Sequence, residues 1–140
     1  MARDSQLEYL AEVPLFKPFS KRDLQKIVKA SDETTVEAGR VIVEEGTTGH
    51  ECFVILEGTA AVHSNGQRVA TLEAGNQFGE LALLDGGPRT ATVTAETEMV
   101  LLVLGQREFA AILDEVPGLA QKILASLAQR LRELDLKAYG

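Results

Sequence analysis

The sequence predicts a mainly β domain of some seven or eight short strands, with helices at both ends of the chain. Three observations carry this. Runs rich in β-branched and aromatic residues fill the middle of the sequence. Glycines punctuate them at Gly39, Gly46, Gly49, Gly58 and Gly75. Apolar residues at helical spacing occur only before and after this stretch.

The first helical signal, Ser5 to Leu15, is weak and carries Leu7, Leu10 and Ala11; it ends near Pro14, and Phe16-Lys-Pro-Phe19 follows as a stiff apolar connector. Ser20 has the character of an N-cap, with Asp23 three residues on and Leu24, Ile27 and Val28 at helical spacing. The period then changes. Thr34–Val36, Val41–Val43, Cys52–Leu56, Ala60–Val62 and Arg68–Leu72 read as strands, and so do Ala91–Thr94 and Met99–Leu104. Asn65-Gly66 is a hairpin signal, because both central residues of a type I′ turn need positive φ. Strands at this spacing imply a sandwich or a closed barrel, the jelly roll among the possibilities. Arg107 to Leu113 forms a short amphipathic piece. A long helix follows from Pro117, placed at N1, to about Lys137, with an apolar stripe of Leu119, Ile123, Leu127, Leu131 and Leu134. That stripe must cover the barrel, a second copy of itself, or both. The chain divides into a helical segment 1–30, a β segment 31–105 and helices over 106–140, all one domain.

Composition narrows the class. The chain has 140 residues, 45% hydrophobic and 25% charged, the balance of an ordinary folded domain. Its one cysteine, Cys52, excludes an internal disulfide and reads as an inert core thiol. No secretory leader opens the sequence and no apolar run is long enough to span a bilayer, so a cytoplasmic setting with no membrane partner is expected. The formal net charge of −7 argues against a nucleic-acid surface, which needs concentrated Lys and Arg. It does not exclude a small anion site, where one arginine can suffice.

The segment Phe78 to Val93 carries chemistry. Gly79 permits a turn or close approach to a ligand, Glu80-Leu-Ala-Leu-Leu84 is long enough for about one helical turn and a half, and Asp85-Gly-Gly-Pro88 stops it. Arg89 is then held between rigid Pro88 and the strand Ala91-Thr-Val. A helix start offers free N–H groups and a favourable dipole, and a guanidinium fork can bind two phosphate oxygens. Glu80 would repel a phosphate but accept a hydrogen bond from a sugar hydroxyl, as acidic residues do in dinucleotide sites. Opposite charges reading a phosphate and a neighbouring hydroxyl describe a ribose phosphate.

This segment resembles the phosphate-binding cassette of the cyclic-nucleotide-binding domain family, shared by cyclic-AMP-dependent kinase regulatory subunits, cyclic-nucleotide-gated channels and the bacterial catabolite activator protein. Nearly the whole chain follows the family's order of elements. The resemblance implies an eight-stranded jelly-roll β-barrel with N-terminal helices and two C-terminal helices. It implies that Glu80 binds the ribose 2′-hydroxyl and Arg89 the cyclic phosphate. Gly79, Leu81 and Ala82 would offer backbone groups, Ala91 would add an amide near the phosphate, Phe78 would join the ligand-binding residues, and Val62 and Val69 would form an apolar wall beside the base. Thr90 matches a cyclic-GMP-selective pattern in kinases, yet bacterial members with a hydroxyl here favour cyclic AMP; the reading inclines to cyclic AMP. Arg130, with Arg132 as the alternative, falls where some relatives place a lid over the base, where cation–π stacking would suit it.

Other readings stand beside these. Arg89 after a proline would alone read as a surface residue, Thr90 as a strand former, and Arg130 as a solvated helix charge. A metal-dependent enzyme on a cupin-like jelly roll would need several histidines, and only His50 and His63 exist, without paired spacing. A DNA-binding regulator would need a recognition helix, and none follows Lys137 in this sequence, so the remaining alternative of that class is the ligand-binding part of a longer transcription regulator. No nucleophile–base pair is visible. The expectation is therefore a non-enzymatic sensor with no cofactor beyond its nucleotide ligand, a homodimer through the C-terminal helix as a possibility, and an effector protein that receives the signal.

Overall fold

The computed structural model describes the backbone of residues 2–139 and the side chains of residues 5–137. Helix α1 (Ala2–Ala11) is followed by a 3-10 turn at Pro14–Phe16, then α2 (Lys21–Ala30). Eight strands follow: β1 (Asp32–Val36), β2 (Val41–Val43), β3 (Glu51–Glu57), β4 (Ala60–Ser64), β5 (Gln67–Leu72), β6 (Gln77–Phe78), β7 (Thr92–Ala95) and β8 (Met99–Gly105). One turn of helix, α3 (Ala82–Asp85), lies between β6 and β7, and α4 (Gln106–Glu115) and α5 (Leu119–Tyr139) close the chain.

The strands form two antiparallel four-stranded sheets, β1-β8-β3-β6 and β2-β7-β4-β5. Each sheet mixes early and late strands, which is jelly-roll winding. No ladder joins the two sheets among the described residues, so the expected barrel is an open sandwich. The edge strands β2 and β6 have three and two residues. Strands that short leave little unpaired edge and cannot bridge the sheets. Strand β6 lacked a sequence signature; it exists because Phe78 pairs with Phe53 and Gln77 with Val54 on β3.

Two cores share the first sheet. Phe53 and Ile55 of β3, with Met99 and Leu101 of β8, face the second sheet and meet Ala60, Val93 and Ala95. Cys52 and Val54, with Leu102 and Leu104, face the other way and meet the helices through Leu10, Phe16, Ile27, Phe109 and Ile123. Strands buried on both faces read as continuous apolar runs rather than alternating ones, and this is the origin of the runs at Cys52–Leu56 and Met99–Leu104. The aromatic rings of Phe16, Phe19 and Phe109 lie 5.1–6.3 Å apart and lock the segment after α1 onto α4.

Helix boundaries follow local chemistry. Ser20 and Asp23 form a reciprocal capping box at the start of α2: each side chain accepts from the other's backbone N–H at 3.1 Å. Asn65 and Gly66, at φ 54° and 78°, make the β4–β5 hairpin turn. Pro117 is not at N1 of α5. Gly118 follows it with φ 81°, which breaks helical continuation, and α5 begins at Leu119. The α5 stripe divides: Leu119 and Ile123 are buried in the helical core, whereas Leu131 and Leu134 stay more than half exposed.

Replacing Ser20 with Ala should lower stability by about 1 kcal/mol through loss of the cap. Urea denaturation measures this, and a midpoint equal to wild type would show that the box contributes nothing to α2.

Candidate functional site

The sandwich opens beside α3 into a cleft of about 660 Å³. Strand β6 delivers the chain to its rim. Gly79, at φ 78°, turns it away from the sheet, which a side-chain-bearing residue does not easily do. Glu80 and Leu81 follow, then α3, which ends where Gly86 adopts the left-handed conformation at φ 60° and returns its N–H to Ala82 O at 3.1 Å. The Asp85 carboxylate accepts from Gly87 N–H at 2.8 Å and tightens this return. The next residues pair with the loop before β3: Gly49 N–H donates to Gly87 O, Arg89 N–H to Thr47 O and Gly46 N–H to Arg89 O, at 3.1, 2.7 and 2.8 Å. Arg89 is thereby fixed by backbone on both sides.

The Arg89 side chain lies on the floor of the cleft. Its Nη1 donates to Glu51 O at 3.0 Å, and its guanidinium sits 5.7 Å from the centre of the Phe53 ring, which in turn stacks on Phe78. Burial pulls its pKa below the ordinary arginine value, while the Glu51 carboxylate opposes that shift. No carboxylate pairs with Arg89 among the ion pairs of the described residues. A half-buried cation without an acidic partner favours an incoming anion.

Glu80 is held differently. Its Oε2 accepts from the Leu15 N–H at 3.0 Å, and its Oε1 lies 3.9 Å from Arg130 Nη1 on α5. The carboxylate thus touches the 3-10 turn and α5 at once. Arg130 Nε and Nη2 are buried and have no hydrogen-bond partner among the described residues. Between the two arginines weighed for α5, the structure brings Arg130 to Glu80 and leaves Arg132 exposed.

Of the other expected residues, Val62, Phe78, Gly79, Leu81, Ala82, Thr90 and Ala91 all line the cleft. Val69 does not. It is 59% exposed beside the irregular pairing in the β4–β5 ladder, and Ala70 and Leu72 of the same strand face the cleft instead. The register shift between Val62 and His63 decides which β5 residues point inward, and the sequence carries no sign of that shift. The Ala82 N–H, expected to be open, donates to Gly79 O at 3.2 Å. Sequence reasoning also missed the Leu15 amide and the Glu51 carbonyl, backbone groups for which no residue type is a signal.

His50 Nδ1 lies 3.2 Å from Gln106 Oε1. Among the described residues no three His, Cys, Asp or Glu side chains cluster as a metal site, and no helix is long and apolar enough to cross a membrane.

A family model for the cyclic nucleotide-binding domain matches residues 33–116, from β1 through α4. The chain belongs to the cyclic nucleotide-binding domain family. As a member it is similar to a cyclic nucleotide-gated potassium channel of Rhizobium etli, 39% identical over 88% of this chain and 34% of the channel. It is also similar to a cAMP-dependent protein kinase regulatory subunit of Yarrowia lipolytica, 36% identical over 91% of this chain and 32% of that subunit. The chain therefore spans about a third of the length of these relatives. Among solved structures, the N-terminal domain of a transcriptional regulator from Streptomyces coelicolor matches with a TM-score of 0.83 and 32% identity, covering 90% of this chain and 94% of that one. The Thermus thermophilus catabolite activator protein matches with a TM-score of 0.69 and 30% identity, over 89% and 61% of the two chains. The cyclic nucleotide-binding domain is thus a sensor module that occurs within proteins of different output.

Cys52 on β3 is buried, and burial pushes its thiol up to about 12; the charge of Glu80 adds to the shift and that of Arg89 opposes it. The unfolded thiol ionises near 9.0, so between these values the unfolded chain holds fewer protons than the native one. Stability should therefore fall as pH rises through that window, by up to about 1.4 kcal/mol per pH unit. Denaturation of wild type and Cys52→Ala at pH 8 and pH 10 isolates this contribution; identical pH slopes would mean that the native thiol ionises normally.

Proposed function

We propose that this domain binds a cyclic nucleoside monophosphate, cyclic AMP in preference to cyclic GMP, and acts as a sensor rather than a catalyst. One observation carries the reading: a half-buried guanidinium and a carboxylate from the same short segment stand at one cleft whose volume suits a small ligand. Arg89 pairs with the exocyclic phosphate oxygens in a charge-assisted fork. Glu80 accepts from the ribose 2′-hydroxyl. Val62 and Ala70 supply apolar surface to the base, and the Thr90 hydroxyl lies on the phosphate side. The kinase subunits among the relatives, named for dependence on cAMP, support the choice of purine.

The signal follows from what Glu80 already touches. A ribose hydroxyl arriving at this carboxylate competes with the Leu15 amide and with Arg130. Binding thereby changes the energy of docking both the N-terminal turn and α5, and the difference in ligand affinity between the two arrangements sets how far the population moves. Closure places α5 over the base with Arg130 as the lid residue. The receiver is an effector protein or a second copy of the chain. Leu124, Leu131 and Leu134 leave an apolar stripe exposed along α5, with the spacing of a helix–helix seam, and a homodimer through this stripe is the arrangement it favours. The protein works without a metal or further cofactor, in the cytoplasm.

Truncating one partner of a desolvated charge pair costs roughly 2–5 kcal/mol, so Arg89→Ala should weaken cyclic nucleotide binding at least about 30-fold without loss of fold. Calorimetric titration reads this, and an unchanged dissociation constant would remove Arg89 from the site. Wild type should bind the 2′-deoxy analogue more weakly than the ribose form, and Glu80→Ala should bind both alike; a variant that still discriminates would assign the ribose to another group. Leu131→Glu should lower the mass measured by sedimentation if α5 joins two copies, whereas a monomeric wild type would exclude that arrangement.

A further inference from the structure

We propose that Gly49 is a positioning residue for Arg89, its missing side chain forming one wall of the slot in which the guanidinium lies. The inference rests on the reading that Arg89 takes the phosphate. Gly49 is a glycine without a conformational reason. Its φ lies outside the left-handed region, unlike Gly46 and Gly79 on either side of the cassette's anchor, at 86° and 78°. No positive φ therefore demands a glycine there. What it lacks is space: the three heavy atoms nearest to an added Cβ all belong to Arg89, with Cζ and Nε well inside 3.0 Å and Nη1 at 2.8 Å.

The backbone cannot give way. Gly49 is buried, and its N–H is bonded to Gly87 O at 3.1 Å. Thr48 bridges Pro88, and Thr47 O accepts from Arg89 N–H. The loop and the cassette are thus one clamped pair of strands, and the guanidinium is the part that must move. Its other walls are equally close. A Cβ on Gly79 would lie 2.5 Å from Nη1, Phe53 backs the plane, and Glu51 O holds Nη1. Alanine at 49 would drive the guanidinium back by about 1 Å to reach ordinary contact, off its hydrogen bond to Glu51 and off the Phe53 face. Displacement on this scale is enough to spoil a bidentate fork that must meet two oxygens in plane. Gly79 gives no clean test, because a side chain there also meets Glu51 O and the positive φ.

The experiment compares wild type, Gly49→Ala, Arg89→Ala and the double variant, titrated calorimetrically with cyclic AMP and with cyclic GMP, with ligand-free melting temperatures and the NMR signal of the Arg89 Nε–H. Gly49→Ala should melt close to wild type, shift the Arg89 Nε–H signal without ligand, and bind about tenfold more weakly. In the Arg89→Ala background the same substitution should cost nothing further. Wild-type affinity in Gly49→Ala, an equal loss in both backgrounds, an unmoved Nε–H signal, or collapse of the fold would each overturn the role of Gly49. Wild type that binds neither nucleotide, or Arg89→Ala that binds normally, would instead sink the assignment of the phosphate to Arg89, and the Nε–H signal would still decide whether Gly49 sets the guanidinium's place.

Discussion

Strand β3 is buried on both faces, and most of the molecule is arranged around that constraint. Its odd and even residues serve different cores: Phe53 and Ile55 pack within the sandwich, Cys52 and Val54 under the helices. Neither the second sheet nor the helical layer can move far without exposing one side of this strand, because a packed core gains its stability from the apolar area it keeps from water. The site hangs on the same strand. The Glu51 carbonyl anchors the Arg89 guanidinium, Phe53 backs it, and the Cys52 thiol feels the charges of both Glu80 and Arg89. A rigid support of this kind keeps the guanidinium in one geometry.

The electrostatics of the cleft run against those of the whole chain. A formal charge of −7 repels anions at long range. Within the cleft the Arg89 guanidinium has lost part of its hydration; the Glu51 carboxylate acts on it, but no ion pair holds it among the described residues. Burial of this kind is costly when the charge is unpaired and is repaid when a phosphate supplies the pairing. Glu80, a short distance along the same segment, has its charge engaged by the Leu15 amide and by Arg130. Arg89 and Glu80 therefore stand in different conditions, one without an ion pair among the described residues and one tied to the flanking helical segments. On the proposed reading, that asymmetry would let the segment report occupancy: a phosphate would pair with Arg89, and a sugar hydroxyl would disturb an existing tie of Glu80.

How much of this was legible in the sequence depended on whether a side chain or a backbone position carried the feature. The strands announced themselves because β-branched runs and glycine turns are local, and the capping box at Ser20 and Asp23 is written in two residues three apart. Glu80 and Arg89 stood out as candidates because opposite charges flank a glycine-ended helical turn, and the structure places both at one cleft. Strand β6 was not, since two residues have no periodicity; only Phe53 and Val54 across the gap make Gln77–Phe78 a strand. Val69 and Ala70 could not be told apart, because a register shift in the β4–β5 ladder chooses the face. The break at Gly118 displaced the start of α5 past Pro117, a backbone angle that no residue preference at Pro117 foretold.

The sequence by itself determined the helix–strand–helix order of the chain and its mainly β class, which rest on residue type and spacing. Its resemblance to the family implied the jelly roll, and Glu80 and Arg89 stood out in it as candidate site residues. The tertiary structure alone decided that the barrel stays open as two sheets, that Arg130 rather than Arg132 reaches Glu80, and that the Leu15 amide and the Glu51 carbonyl are part of the site. It also gave Gly49 its meaning, since a glycine in a loop reads as a turn until the side chain filling the space beside it is known. The reason is physical: these features are contacts between backbone groups and side chains far apart in the chain, and their formation depends on packing, which periodicity and propensity do not record.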